Sequence, residues 1–270
     1  MDRNQACDTH LFIHEQLDNA QSFRFATGEA VVFSKQSPDK DAGGNEDACA
    51  LIQLGPESGL LVLADGVGGH RGGQDASALA INMILDICER AETDDGNLRE
   101  PILDAIEQCN QTLLDEGLGA ATTLLVVEIR GDMIRPYFIG DSTILACGQR
   151  GKPKFQSIAQ SPTGYALEAG VMREAEARED ENRYLVSNII GAADMHTTVG
   201  SWLKLASRDT LLMCSDGLTE NLYFQSIIDI MRCGPLMTAA TRLHEQSTLK
   251  MQNESGHPDD LSFILFRLRP

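Results

Sequence analysis

The stretch Gly59-Leu-Leu-Val-Leu-Ala-Asp65, followed at once by Gly66-Val-Gly-Gly-His-Arg-Gly-Gly73, decides how the chain is organised. Its first half is a short, unbroken apolar run of the kind buried inside a sheet; its second half is too rich in glycine to continue a strand or a helix. The pattern predicts a strand that delivers Asp65 to an open turn. Beyond the turn, Ala78, Ile81, Ile84, Leu85 and Cys88 recur at three and four, which predicts a helix over 74–91, and a second helix is expected over 101–115.

Working outward, residues 22–34 mix apolar and polar positions as strands do, and Pro38, Gly43 and Gly44 form a turn region just before Asn45-Glu46-Asp47. The residues before that, about 1–21, read as an N-terminal extension. Residues 121–155 alternate apolar runs with turns at Arg130-Gly-Asp132, Gly140-Asp141-Ser142 and Gly148 to Gly151, which suggests an antiparallel meander with Asp141 on a turn between two strands. Residues 161–181 are polar, rich in Glu and Ala, and anchored only by Leu167, Val171 and Met172; a small and comparatively mobile helical insertion is expected. A buried strand returns at Thr210 to Cys214 and ends at Ser215-Asp216-Gly217. Helices over 219–233, closed by Gly234, and over 236–251 follow, and a last strand runs over 261–268, directly after Asp259-Asp260. This order implies an α+β fold with largely antiparallel sheets, in one domain spanning 1–270.

The chain has 270 residues, 42% of them apolar, which is enough for a large buried core. With 22 basic and 40 acidic residues its formal charge is −18, a balance that opposes nucleic acid and anionic membrane and favours divalent cations. Acidic surfaces also serve solubility alone. The seven cysteines stand singly, without a C-x-x-C pair, so they read as buried apolar residues in a reducing compartment. No stretch approaches the roughly 20 apolar residues of a membrane span, and the N-terminus lacks a signal-like apolar core. A cytoplasmic monomer is the expectation.

Glu46 with Asp47, Asp65, Asp216 and Asp259 share one placement, at the start or end of an apolar strand beside Gly, Asn or another Asp. Carboxylates so placed can point from rigid sheets into one cleft. Any one of them alone is as well explained by the turn preference of aspartate. Together they suit hard ions such as Mg²⁺ and Mn²⁺, which take oxygen ligands and keep several waters.

The words Asn45-Glu-Asp-Ala48, Ala64-Asp-Gly-Val-Gly-Gly-His70, Gly119-Ala-Ala-Thr-Thr123, Ile139-Gly-Asp-Ser142, Cys214-Ser-Asp-Gly-Leu-Thr-Glu-Asn221 and Asp259-Asp-Leu-Ser262 resemble, in order, the motifs of the metal-dependent serine/threonine protein phosphatases of the 2C type, bacterial members especially. The resemblance runs from Asn45 to the C-terminus. It implies two packed antiparallel sheets flanked by helices, with two Mg or Mn ions at one end of the sandwich. By the same resemblance Asp65 would bridge the ions and the Gly66 carbonyl would reach one of them. Asp216 and Asp259 would complete one shell, and Glu46 or Asp47 the other. A third ion would pair Asp141 with Asp216. The implied reaction is hydrolysis of phosphoserine or phosphothreonine on a protein by a metal-bound water or hydroxide, with a serine/threonine kinase acting in opposition. The 161–181 insertion resembles the flap beside the cleft of bacterial members.

The chain departs from the family at Ala42, where an arginine usually grips the substrate phosphate. Lys40, Arg71 and Arg183 are the candidate replacements. Where many members carry a proposed general-acid histidine, this chain has Val67, with His70 three further on; His70 can donate a proton, bind phosphate or cap the following helix. Asp260 stands where the family often has Asn. The loss of the arginine motivates an alternative, a phosphatase-fold binding or regulatory module with little turnover, and a small-molecule phosphohydrolase is a third reading. Finally, Glu220-Asn-Leu-Tyr-Phe-Gln-Ser226 matches the recognition heptapeptide of the tobacco etch virus protease and falls on the helix expected after Ser-Asp-Gly.

Overall fold

The computed structural model describes residues 9–39, 43–67, 71–90, 97–253 and 256–269. Strands β1 (His10–Ile13), β2 (Gln21–Phe25), β3 (Gly28–Lys35), β4 (Asp47–Gly55) and β5 (Ser58–Val67) lead into helices α1 (Arg71–Arg90) and α2 (Arg99–Glu116). Next come β6 (Ala121–Thr122), β7 (Leu124–Arg130), β8 (Met133–Ile139), β9 (Thr143–Cys147) and β10 (Pro153–Gln156). The short helices α3 (Pro162–Glu168) and α4 (Glu174–Arg178) precede β11 (Thr198–Val199), β12 (Leu203–Lys204) and β13 (Thr210–Cys214). Helices α5 (Asp216–Thr219), α6 (Phe224–Met231) and α7 (Leu236–Met251), then β14 (Leu261–Leu268), complete the order.

The strands form two antiparallel sheets. One runs β1-β4-β5-β7-β8-β11, with β12 also on β8 and β6 on β5; the other runs β10-β9-β13-β14-β3-β2. Alternation along the first sheet explains why its strands read as unbroken apolar runs. Ala48, Ala50, Ile52, Leu60, Val62 and Ala64 pack toward α1 and α2, whereas Cys49, Leu51, Leu61 and Leu63 pack against the second sheet. Both faces are buried, so neither needs polar residues. Helices α6 and α7 cover the outer face of the second sheet through Ile227, Leu236, Ala240 and Leu243.

The α+β expectation of two packed antiparallel sheets is met, and β5, α1, α2, β13, α7 and β14 lie where the patterning placed them. Three features differ from the reading. Residues 10–13 of the expected extension form an edge strand whose His10 to Ile13 pair with Leu51 to Ala48. The 121–155 segment is not a single meander, because β8 belongs to one sheet and β9 to the other. The helix expected over 219–233 begins only at Phe224, as α6, after a separate short helix α5 over Asp216–Thr219; between them the Asn221 side chain donates to the Gly217 and His257 carbonyls, at 2.9 and 2.8 Å, and ties the connecting segment down. Among the described residues no helix is long and apolar enough to cross a membrane.

Candidate functional site

Both sheets send carboxylates to the same end of the sandwich. Asp47 opens β4 and lies opposite Asp65 near the end of β5, so the two share a face, and the alternation of their strands turns that face toward the second sheet. From the second sheet, Asp216 follows β13 and Asp259 precedes β14, which are antiparallel neighbours with Cys214 opposite Phe263. Asp141 sits on the crossover from β8 to β9.

The neighbours of these groups are chosen to hold them. Thr123 accepts the Asp65 amide on Oγ1 at 3.1 Å and donates its own amide to the Asp65 carbonyl at 2.8 Å, fixing the end of β5. Ser215 Oγ donates to Asp47 Oδ2 at 2.9 Å and joins the two sheets beneath the site. Asp47 Oδ1 is buried and has no hydrogen-bond partner among the described residues. Asn45, wholly buried, donates to Ser34 Oγ and to the Glu15 carbonyl, so the first residue of its word braces the strand ends. Glycines let the layers close: a Cβ on Gly66 would meet the Gly73 carbonyl, and one on Gly73 would stand 2.6 Å from Glu46 Oε1.

Packing like charges out of water raises their affinity for protons. Burial first, then repulsion from Asp260, pushes Asp47 up to about 8. Asp65 and Asp216 are raised well above the carboxylate range, again by burial first, then Asp65 by Asp47, Asp216, Asp259 and Asp141, and Asp216 by Asp259, Asp141, Glu220 and Asp47. Burial, with Asp259 adding to it, pushes Asp141 up to about 6. Among the described residues, the charges that act on Asp65 and Asp216 are all carboxylates.

Beside this acidic end lies a cavity of about 90 Å³ whose walls include Asp141, Asp216, Glu220, Arg178 and Arg183. Its far side is the 161–181 insertion, which contains α3 and α4 as two short helices. Arg178 donates to the Thr219 carbonyl at 2.9 Å and lies 4.0 Å over the Tyr223 ring, Glu174 accepts the Phe224 amide at 2.7 Å, and Arg183 pairs with Glu220 at 3.7 Å. The insertion is thus docked on the segment that follows Asp216. Burial pushes Glu220 up to about 7, an effect that Arg183 partly offsets. The Nε atoms of Arg178 and Arg183 are buried without a hydrogen-bond acceptor among the described residues.

Of the residues singled out in the sequence, Asp47, Asp65, Asp141, Asp216 and Asp259 come together, and Glu46 and Gly66 adjoin them. Arg183 reaches the neighbouring cavity. Lys40, Ala42 and His70 lie outside the described residues, as does the side chain of Arg71. Sequence reasoning missed Ser215, Glu220 and Arg178 as parts of the site. Ser215 and Glu220 stood within a quoted word, where they could have been noticed; Arg178 carried no signal beyond its place in the insertion.

An antiparallel sandwich with helices outside and carboxylates gathered at one end defines a class of hydrolase suited to hard divalent cations. Over residues 40–252 the chain matches the Protein phosphatase 2C family, and it belongs to that family. It is 29% identical over 213 residues to protein phosphatase PhpP of Streptococcus pneumoniae, covering 76% of this chain and 84% of that protein. The solved serine/threonine phosphatase of S. agalactiae superposes with a TM-score of 0.77 at 25% identity, over 90% of this chain and all of that one. The catalytic domain of PstP, solved in complex with 2 manganese ions, shares the fold with a TM-score of 0.72 at 21% identity, over 89% and 98% of the two chains.

Proposed function

We propose that the chain hydrolyses phosphoserine and phosphothreonine in other proteins at a centre of two divalent cations, Mg²⁺ or Mn²⁺, with a third site at Asp141. The observation that carries this reading is the convergence of buried aspartates from both sheets, with carboxylates alone among the described residues raising Asp65 and Asp216 beyond burial. Buried carboxylates gathered in this way call for positive charge, which a soluble divalent cation can supply. The relatives are phosphatases by name, which favours turnover over a non-catalytic binding module.

The donor set fits hard ions. All candidate ligands are oxygens, and the open Oδ1 of buried Asp47 lacks any other partner among the described residues. Among those residues no three His, Cys, Asp or Glu side chains close into a cage by themselves. Asp65 and the Gly66 carbonyl, Asp216 and Asp259, and Glu46 or Asp47 would hold two ions, with Asp141 and Asp216 for a third. Such ions, when bound, supply an acidified water for attack on phosphorus and neutralise the phosphoryl oxygens. Thr123 and Ser215 keep Asp65 and Asp47 in place.

Arg183 stands in for the arginine missing at 42. Among the described residues it is the sequence candidate that lines the cavity beside Asp141 and Asp216, where its guanidinium, ion-paired to Glu220 through Nε at 3.7 Å, can turn to a phosphate oxygen. His70 remains the candidate general acid.

Turnover of a phosphothreonine peptide by the pure protein with Mn²⁺ tests the whole reading. Asp65→Asn should lower kcat on the order of a hundredfold or more, and Arg183→Ala should raise KM about tenfold. Activity that survives both chelation and Asp65→Asn would refute it.

A further inference from the structure

At the end of the second sheet away from the carboxylates, the β9–β10 hairpin carries Arg150, Lys152 and Lys154 within five residues. They line an open groove of about 690 Å³ together with Pro153 and Leu203. Arg208 extends the basic rim by donating to Gln149 Oε1 at 3.4 Å, and Arg232 does so by donating to the Gln149 carbonyl at 2.9 Å. Two carboxylates face the same region, and each is already paired, Asp209 with Lys154 and Asp229 with Arg232. Arg150, Lys152 and Arg208 have no carboxylate partner among the described residues. A chain of charge −18 that gathers this many cations in one place has made a local exception to its own field.

We propose that this groove docks an acidic polypeptide segment, and that the segment belongs to the phosphoprotein whose phosphate is removed at the other end of the sheet. Pro153 and Leu203 in the lining suit the stems of glutamates, and the cations beside them suit the carboxylates. The surrounding negative charge repels an extended polyanion such as nucleic acid or an anionic membrane, whereas a short segment lying within about a Debye length, roughly 8 Å, of the rim feels the cations. Strands β9 and β13, each of five residues, separate the groove from Asp141 and Asp216, a distance of roughly 15 Å. One substrate chain can therefore occupy both places, and the groove would raise the effective concentration of phosphosites that have acidic stretches nearby.

The identity of the partner rests on the phosphatase reading; the binding does not, and the experiment separates them. Fluorescence anisotropy of a labelled, unphosphorylated poly-glutamate peptide should show binding that the doubly substituted protein Arg150→Glu, Lys152→Glu weakens about tenfold or more. Both residues are exposed and outside the acidic site, so hydrolysis of p-nitrophenyl phosphate should be unchanged, while kcat/KM for a phosphothreonine peptide bearing a glutamate-rich tail should fall to that of the tail-less peptide. Equal affinity in the two proteins would overturn the proposal. So would stronger adsorption to phosphatidylserine vesicles or single-stranded DNA than to the peptide. Peptide binding that is lost on charge reversal in a protein with no phosphatase activity would leave the groove standing and reject the catalytic reading.

Discussion

Asp260 accepts the Ser37 amide on one oxygen and the Glu46 amide on the other, both at 2.7 Å, and so holds the start of β4 to the start of β14. Asparagine, the residue common at this place in the family, has one oxygen and one NH₂ group and can satisfy only one of the two amides. Asp260→Asn is therefore expected to cost about 1.5–3 kcal/mol, measured by urea unfolding at pH 6, where Asp47 is protonated and little repulsion is relieved by the change. A second residue-scale expectation concerns pH. Asp47, Asp141 and Glu220 are raised to about 8, 6 and 7, so the chelated native protein binds more protons than the unfolded chain between the ordinary carboxylate range and those values. Stability must then fall as pH rises from about 4 to 8. Thermal melts with chelator should show Tm declining across that window, and Mn²⁺ should raise Tm more at pH 8 than at pH 5. The aspartates themselves were legible because each stood beside a glycine or another acid at a strand end. The hydroxyl of Ser215 was not legible as a bridge between sheets, since nothing local distinguishes it from any serine before a turn.

At the scale of elements, the 161–181 insertion and the 219–224 segment form one docked unit, with Glu174 capping the first turn of α6 and Arg178 clamped between Thr219 and Tyr223. The heptapeptide Glu220 to Ser226 lies in this unit. Asn221 and Leu222 are buried and Gln225-Ser226 is helical, whereas a protease needs an extended, accessible strand of substrate. Tobacco etch virus protease should cut the native protein at Gln225 on the order of a hundredfold more slowly than the same heptapeptide in a flexible linker. Glu174→Ala, which removes the cap, should speed the cut without abolishing the fold; gel analysis of a digestion time course reads both. Periodicity found α7 and β14 to the residue, because long amphipathic and apolar stretches average over many positions. It started α6 five residues early, because the segment before Phe224 is held out of the helix by Asn221 bonding to His257, a contact 36 residues away that no local window contains.

For the molecule as a whole, the two-sheet arrangement followed from the order of strands and helices, but the assignment of β8 and β9 to different sheets did not, as a tight turn within a sheet and a crossover between sheets look alike in sequence. The cysteines test how completely the layers close. Cys49, Cys109, Cys147 and Cys214 are buried, and burial raises each thiol, Cys109 to about 12 and Cys147 to about 11, while Cys233 is exposed. Of these five, Cys233 alone should react with a thiol reagent under native conditions, as peptide mapping by mass spectrometry would show, and the rest should react only on unfolding. Division of the aspartates between separately built layers has a consequence for the order of assembly. Neither half of the chain possesses the whole set, because Asp216 and Asp259 must join Asp65 across the sheets, so the complete centre cannot form in an incomplete fold, and tight uptake of both ions should arrive last, as a report that the two halves have come into alignment.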